Sequence, residues 1–121
     1  MEKNEHVDYE WQMLKACRYV LNVLRKGSVL LSPLIPGSED QNGEFLFNIV
    51  HEDYCVHARN LMCWAYDGHD KLMPDDIATI CGKIDAQITT LVPGSRTSKV
   101  EEKINQAERE VLFEHLEHFM E

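Results

Sequence analysis

Hydrophobic positions recur at intervals of three and four residues along most of this chain, the period that places them on one face of an α-helix. The predicted helices cover residues 5–26, 44–66, 74–92 and 98–120. The pattern predicts an all-α fold, a small bundle of about four helices around one core. We interpret residues 1–121 as a single domain, because a chain of this length supports one core without further division.

The last two predicted helices form a C-terminal helical hairpin with good start and stop signals. Pro74 stands at a first-turn position, where its missing N–H is harmless. Pro93 and Gly94 then end the third helix. Ser98 is followed three residues later by Glu101, the spacing of a capping box. The pattern therefore predicts that the fourth helix starts at Ser98.

The segment 44–66 carries two competing patterns. Phe45, Phe47 and Ile49 alternate as they would along a strand. A helical stripe nevertheless runs through the whole segment, and strands seldom exceed ten residues. Length favours a helix, and an α+β fold with one short strand or hairpin near residues 29–50 stays open as the alternative.

Charge narrows the classes of partner. The formal net charge is −9, with 44% hydrophobic residues. Non-specific binding to nucleic acid depends on Lys and Arg, so direct nucleic acid binding is not expected. The same charge disfavours docking to an anionic membrane, and no run approaches the ~20 apolar residues of a membrane span. A basic protein partner suits this charge, as does solubility alone.

The cysteines do not form a disulfide framework. They are widely spaced, and the chain begins Met-Glu-Lys-Asn-Glu without the pattern of a signal peptide. The four are Cys17, Cys55, Cys63 and Cys81. We expect reduced thiols in a cytoplasmic protein.

Metal-ligating residue types occur together, but the sequence does not align four of them. His51 and Cys55 are four residues apart and share one helical face, as zinc ligands can. Cys55 and His57, two residues apart, point away from each other on a helix. His115 and His118 make a second pair. Neither group offers four convergent ligands, so we predict no metal site.

Catalytic and cofactor signatures are missing from the sequence. There is no Gly-x-Ser-x-Gly, no local Cys-His signature and no Gly-rich phosphate loop. We therefore expect a non-enzymatic protein without a cofactor.

The turn at residues 93–98 is the best candidate for a small-molecule site. It supplies hydroxyl groups, the Arg96 guanidinium and N–H groups at a helix N-terminus, which together suit an anion such as phosphate. The alternative is that Ser and Thr cap the helix while Arg96 is a solvated surface residue.

A Pro-x-Ser-Arg turn, a Lys-aliphatic pair and an Ala one turn later form a wider pattern. The matching residues are Pro93, Ser95, Arg96, Ser98, Lys103, Ile104 and Ala107. This stretch, roughly residues 77–110, resembles the helical hairpin of phage proteins that sequester cyclic nucleotide immune signals. The resemblance implies a nucleotide site at Ser95, Arg96 and Thr97, with Ser98 and Lys103 beside them, at a subunit interface of a homo-oligomer.

The C-terminal helix also carries an unbalanced charge. Residues 99–121 contain seven Glu against three basic residues. Glu110, Glu114 and Glu117 lie opposite the apolar stripe of this helix, so they give it a negative face. A solvated face is the ordinary explanation of such a pattern.

Two functional hypotheses follow. The first is a stoichiometric inhibitor or immunity protein of the anti-defence type, which occupies a basic surface of a protein target. Its expected partner-binding residues are Glu110, Glu114, Glu117 and the apolar Trp64 and Tyr66, which we expect to be exposed. The alternative is a sponge that sequesters a phosphate-bearing cyclic nucleotide at the 93–98 turn. In either case we expect a homo-oligomer.

Overall fold

Four α-helices make up the architecture. The computed structural model describes residues 4–25, 44–67, 72–88 and 104–121, and every structural statement below concerns these residues. The helices are α1 (Glu5–Arg25), α2 (Glu44–Tyr66), α3 (Asp75–Ile88) and α4 (Gln106–Met120). The predicted all-α bundle is confirmed. None of the described helices is long and apolar enough to cross a membrane.

Helix α1 starts at a side-chain cap and buries the predicted stripe. The Asn4 side chain accepts a hydrogen bond from the Val7 backbone N–H at 3.0 Å, which satisfies one donor of the first turn. Glu5 and Asp8 place negative charge near the positive end of the helix dipole. The buried face consists of Val7, Trp11, Leu14, Cys17 and Leu21. The predicted helix 5–26 is therefore confirmed to within its last residue, which lies outside the described part.

Helix α2 is the central element, because it contacts α1, α3 and α4. Residues 44–50, where strand and helix competed, belong to this helix. The alternation across this segment does not define a buried face: Phe47 packs against the core, but Ile49 is 53% exposed. The strand alternative is wrong for residues 44–50, and residues 29–43 lie outside the described part.

The end of α2 is set by Asp67, whose φ of 43° lies in the left-handed region. Its backbone N–H donates to the Cys63 carbonyl at 2.9 Å and closes the last turn. Asp is one of the few residues other than glycine that adopt this conformation at modest cost. The helix therefore ends where the sequence predicts.

The core draws on all four helices. Its members with the least exposed surface include Leu14 and Leu21 of α1, Tyr54 and Leu61 of α2, Ile84 of α3, and Leu112 and Leu116 of α4. Trp11 and Phe113 stack at 4.9 Å between ring centroids, which joins α1 to α4. The Tyr54 hydroxyl donates to the Arg109 carbonyl at 2.7 Å. That bond ties α2 to α4 inside the core.

Helix α4 starts later than predicted. Asn105 is extended, with φ −102° and ψ −177°, and it is the N-cap. Its side chain accepts from the Glu108 N–H at 2.9 Å, and the Glu108 carboxylate accepts from the Asn105 N–H at 3.1 Å. The prediction of one continuous helix over 98–120 is wrong, because this second capping box begins the helix. Ser98 and the predicted inter-helix turn lie outside the described residues.

Helices α3 and α4 contact each other, as the predicted hairpin requires. Lys83 of α3 pairs with Glu108 of α4 at 2.8 Å between Nζ and Oε2. The contact between α1 and α2 is more extensive than that between α3 and α4. The bundle is therefore organised on α2 rather than on the C-terminal hairpin.

Candidate functional site

One side of α4 presents four carboxylates in a row. We call Glu110, Glu114, Glu117 and Glu121 the acidic stripe. Their spacing of four, three and four residues places them next to one another along the helix. Glu114, Glu117 and Glu121 are exposed, whereas Glu110 is partly buried. The stripe lies away from the buried face of α4, as the sequence predicts.

Glu110 is the member of the stripe that is engaged within the fold. The Arg18 guanidinium donates to both of its carboxylate oxygens, with Nη2–Oε2 at 2.8 Å and Nε–Oε1 at 3.2 Å. The same guanidinium lies 4.3 Å from the centroid of the Phe113 ring. The hydrogen bond to Glu110 raises the pKa of Arg18 above its ordinary value. This pair fastens α1 to α4 and neutralises one end of the stripe.

The other three carboxylates make no side-chain hydrogen bond or salt bridge to another described residue. Two apolar side chains of the same helix are exposed as well, Val111 at 41% and Phe119 at 37%. Val111 is three residues from Glu114 and therefore adjoins it on the helix surface. Val111 therefore places an apolar side chain beside the negative charge of the stripe, whereas Phe119, two residues from Glu117 and from Glu121, lies on another side of the helix.

Tyr66 is not exposed, so that expectation is wrong. Only 8% of its surface is accessible, because α4 covers the end of α2. The Tyr66 hydroxyl lies 2.5 Å from Nε2 of His115, and the two rings stack with an interplanar angle of 2°. Phe119 meets Tyr66 edge-on at 5.6 Å. Trp64 is half-buried against the core.

Burial sets the protonation of this aromatic pair. It raises the pKa of Tyr66 and lowers the pKa of His115. A neutral imidazole can accept at Nε2 while the phenol donates. Tyr66 and His115 therefore hold α2 against α4 as a neutral hydrogen-bonded pair.

The nucleotide site suggested by the resemblance lies outside the described residues. This applies to Ser95, Arg96, Thr97, Ser98 and Lys103. The described part resumes after this stretch at Ile104, which is buried, and Asn105, which is extended.

Where α1 crosses α2, the structure assembles three metal-ligating residue types. Cys17 of α1 meets Asp53 and His57 of α2, and one ligand atom from each lies within 4.8 Å of the other two. We call these three residues the α1–α2 cluster. It is the one group of at least three such side chains in the described part of the chain. Cys17 is buried, His57 is half-buried and Asp53 is exposed, so the cluster opens to solvent on one side.

Glu10 and Tyr9 of α1 contact the imidazole of this cluster, and Asn60 of α2 contacts Glu10. Glu10 Oε2 lies 2.5 Å from Nδ1 of His57. Its other oxygen accepts from the Asn60 amide at 3.1 Å. The Tyr9 ring stands edge-on to the imidazole, with centroids 6.4 Å apart. The orientation of His57 is therefore fixed by two side chains of α1, and Asn60 of α2 holds one of them, Glu10, in place.

The thiol of Cys17 is a poor nucleophile in this setting. Burial, with a contribution from the negative charge of Asp53, raises its pKa to about 11. Nucleophilic cysteines need the opposite shift, because the thiolate is the reactive form. The cluster is better suited to binding a cation than to attacking a substrate, since a cation would offset the repulsion between thiolate and carboxylate.

Sequence reasoning missed this cluster because its search stayed within single helices. The pair it singled out, His51 and Cys55, is buried in the bundle at 6% and 0% exposure. Asp53 and His57 are four residues apart and share a face, which is a readable local signal. Nothing in the sequence marks Cys17 as a metal ligand, since it fits the apolar face of α1.

A groove of about 330 Å³ lies between α2 and α3. Met62, Cys63, Met73 and Cys81 line it, and an ion pair between Arg59 and Asp85 at 3.5 Å stands at its rim. All four cysteines of the chain are free thiols, and Cys63 is the exposed one. The sequence did not point to this groove.

Comparisons with protein families, with curated proteins and with solved structures find no match to this chain.

Proposed function

We propose that this chain is a non-enzymatic binding protein of the inhibitor or immunity type, which docks the acidic stripe of α4 onto a basic surface of a protein target. The observation that carries the proposal is the set of three exposed carboxylates at Glu114, Glu117 and Glu121. They stand side by side and form no salt bridge with a described residue, and Arg18, which interacts with Glu117, is bound to Glu110.

Many other acids of the fold have a local partner. Glu108 binds Lys83, Glu10 binds His57, Asp85 binds Arg59, and Asp76 accepts from the backbone N–H of Ile77. These contacts account for their charge within the fold. The carboxylates at the end of the acidic stripe have no such role, which supports a role outside the molecule.

Charge supports the same proposal at longer range. The net charge of −9 attracts a basic partner before contact and speeds the encounter. Such steering is screened over about 8 Å at physiological salt, so added salt should slow association. The choice of partner then depends on where the exposed carboxylates meet its Lys and Arg side chains.

Apolar surface next to the stripe would supply the rest of the contact. Val111 is exposed beside Glu114, whereas Phe119 is exposed on another side of α4 and Trp64 is half-buried near the end of α2. Tyr66 contributes indirectly, because it holds His115 and Phe119 in place. Interfaces combine apolar and polar surface, and Val111 with the acidic stripe offers both on one face of α4.

The test is affinity capture with a charge-reversed stripe. Wild-type protein and the double variant Glu114→Lys/Glu117→Lys are immobilised and exposed to lysate of the source cells at low and high salt. A matched control, Glu52→Lys/Asp85→Lys, makes the same change in net charge at exposed positions of α2 and α3. Circular dichroism confirms that all three proteins are folded.

We expect a target protein that wild type and the control retain at low salt and that the stripe variant loses. Retention should fall at high salt for wild type and control alike. If the stripe variant retains the same proteins as wild type, the acidic stripe is not the binding surface and the proposal fails.

A second proposal concerns the 93–98 turn, and it rests on sequence. The hydroxyl groups and the Arg96 guanidinium suit a phosphate-bearing cyclic nucleotide, as in the phage sponge proteins that this stretch resembles. Titration calorimetry with cyclic dinucleotides tests it, with Arg96→Ala as the variant. Heat of binding that Arg96→Ala abolishes would favour the sponge, and native mass spectrometry of the same samples reports whether the chain is the homo-oligomer that we propose.

A further inference from the structure

We propose that Cys17, Asp53 and His57 form a binding site for one zinc-class divalent cation, which joins α1 to α2. This site is separate from the acidic stripe and does not depend on the function proposed for that stripe. Each of the three side chains supplies one ligand atom, and a water molecule takes the fourth position.

The distances suit this assignment. The three ligand atoms lie within 4.8 Å of one another. On a tetrahedral Zn²⁺, with bonds of about 2.0–2.3 Å, ligand atoms are about 3.3–3.8 Å apart. Closing this gap takes a shift on the order of 1 Å at each ligand atom, estimated from these bond lengths. Asp53 is exposed, so the cation reaches the site from solvent on that side.

A second layer of contacts already orients the imidazole. A histidine that binds a metal through one nitrogen usually donates its other ring N–H to a carboxylate. Here the Glu10 carboxylate is at Nδ1 of His57, and Asn60 holds that carboxylate in turn. Because Glu10 occupies Nδ1, we assign the cation to Nε2 of His57. The structure thus contains the supporting carboxylate as well as the ligands.

The chemistry of the donors selects the class of cation. A thiolate and an imidazole favour Zn²⁺ and similar transition metals, whereas Ca²⁺ and Mg²⁺ require oxygen ligands. The thiolate of Cys17 and the carboxylate of Asp53 together carry two negative charges, which a divalent cation neutralises. Binding replaces the S–H bond of Cys17 with a sulfur–metal bond and releases the proton to solvent.

Cobalt(II) titration of the purified full chain is the test, after dialysis against a chelator and under reducing conditions. Binding at Cys17 produces the near-ultraviolet thiolate-to-cobalt charge-transfer band, and competition with Zn²⁺ then gives the zinc affinity. The variants are Cys17→Ser, Asp53→Asn and Glu10→Gln. Cys63→Ser is the matched control, because Cys63 is the exposed cysteine and lies outside the cluster.

We expect one cobalt per chain, with the charge-transfer band lost in Cys17→Ser and kept in Cys63→Ser. Glu10→Gln should weaken binding by about 10- to 100-fold, as is usual for carboxylates that support a histidine ligand. Asp53→Asn should weaken it at least as much. Asp53 is exposed, so this variant keeps its fold and stays informative even if Cys17→Ser is destabilised.

Three results would overturn the site. The charge-transfer band is absent at saturating cobalt, or it disappears in Cys63→Ser while Cys17→Ser retains it. Alternatively, Asp53→Asn and Glu10→Gln both bind Zn²⁺ as tightly as wild type, which would place the cation elsewhere.

Discussion

The acidic stripe and the α1–α2 cluster are both groups of ionisable side chains, but they are built in opposite ways. The stripe takes every member from one helix, and three of its four carboxylates face solvent. The cluster takes its members from two helices, and its thiol is buried at 6% exposure. Charge in the stripe acts outward over several ångströms, whereas charge in the cluster acts on its immediate neighbours.

This difference also determines what each region requires of the fold. A helix alone places Glu110, Glu114 and Glu117 on one side, whatever packs beneath it. Cys17 meets His57 only when α1 and α2 pack antiparallel in the correct register, which the contacts of Glu10 with His57 and of Cys17 with Asp53 show. The stripe should therefore tolerate loosening of the bundle, and the cluster should not.

The largest loss of stability is expected at the hydrogen bond that ties α2, which carries Asp53 and His57, to α4, which carries the acidic stripe. Tyr54→Phe removes the hydroxyl that donates to the Arg109 carbonyl at 2.7 Å. Because Tyr54 is fully buried, water does not replace this hydrogen bond, and the free energy of unfolding should fall by about 1.5 kcal/mol. Urea denaturation measures this free energy. Tyr19→Phe, at a residue 71% exposed, is the control and should change stability by less than about 0.5 kcal/mol. Equal effects at the two positions would contradict this role of Tyr54.

A smaller loss of stability is expected from a change at the start of α4, the helix that carries the acidic stripe. Asn105→Ala removes the side chain that caps α4 through the Glu108 N–H. N-cap substitutions cost about 0.5–2 kcal/mol, so thermal unfolding should shift downward by a few degrees. Asn48→Ala, at an exposed position inside α2, should not lower stability, because Ala is the better helix former there. An Asn105→Ala protein as stable as wild type would mean that the cap is not needed.

Within the stripe itself, two neighbouring carboxylates should differ in how much they contribute to stability. Glu110→Gln weakens the two-pronged contact with Arg18, whose side chain is 40% exposed, and should lower the free energy of unfolding by up to about 1 kcal/mol. Glu114→Gln should change it by less than about 0.5 kcal/mol, since Glu114 makes no described salt bridge. Both are measured by chemical denaturation. A larger loss for Glu114→Gln would show that the exposed carboxylates serve the fold and not a partner.

The smallest effect concerns pH and the pair formed by Tyr66 and His115. Burial is the main cause that lowers the pKa of His115 from its ordinary 6.5, and His118 adds to it while Asp76 opposes it. The unfolded chain then binds a proton at higher pH than the native one, so stability falls as pH drops below about 6.5. His115→Gln should remove this part of the pH dependence, and His6→Gln, at an exposed residue, should retain it. Unfolding measured from pH 7.5 to 5.5 makes the comparison, and identical slopes for wild type and His115→Gln would contradict it.

The fold could be predicted where local pattern decides it. Periodicity located the four helices, and length correctly favoured helix over strand at residues 44–50. The predicted start of the last helix was wrong. Ser98 with Glu101 and Asn105 with Glu108 both have the spacing of a capping box, and the local sequence does not show which of the two begins the helix.

The candidate site was predictable only in part, because local pattern determines some of its residues and tertiary packing determines the others. The positions of Glu114 and Glu117 follow from helical spacing alone. The burial of Tyr66 depends on α4 covering the end of α2, and the encounter of Cys17 with Asp53 and His57 depends on how α1 lies on α2. Such contacts join residues far apart in sequence, and a single sequence without its tertiary packing does not encode them in any readable pattern.

The central claim is that the exposed carboxylates of the acidic stripe bring a basic partner to this protein. The most direct measurement is the association rate constant between the purified chain and the target recovered by affinity capture, at increasing ionic strength. The account predicts that the rate falls steeply with salt and that Glu114→Lys/Glu117→Lys associates more slowly than Glu52→Lys/Asp85→Lys at low salt. An association rate constant that does not change with salt and is equal for the two variants would contradict this claim.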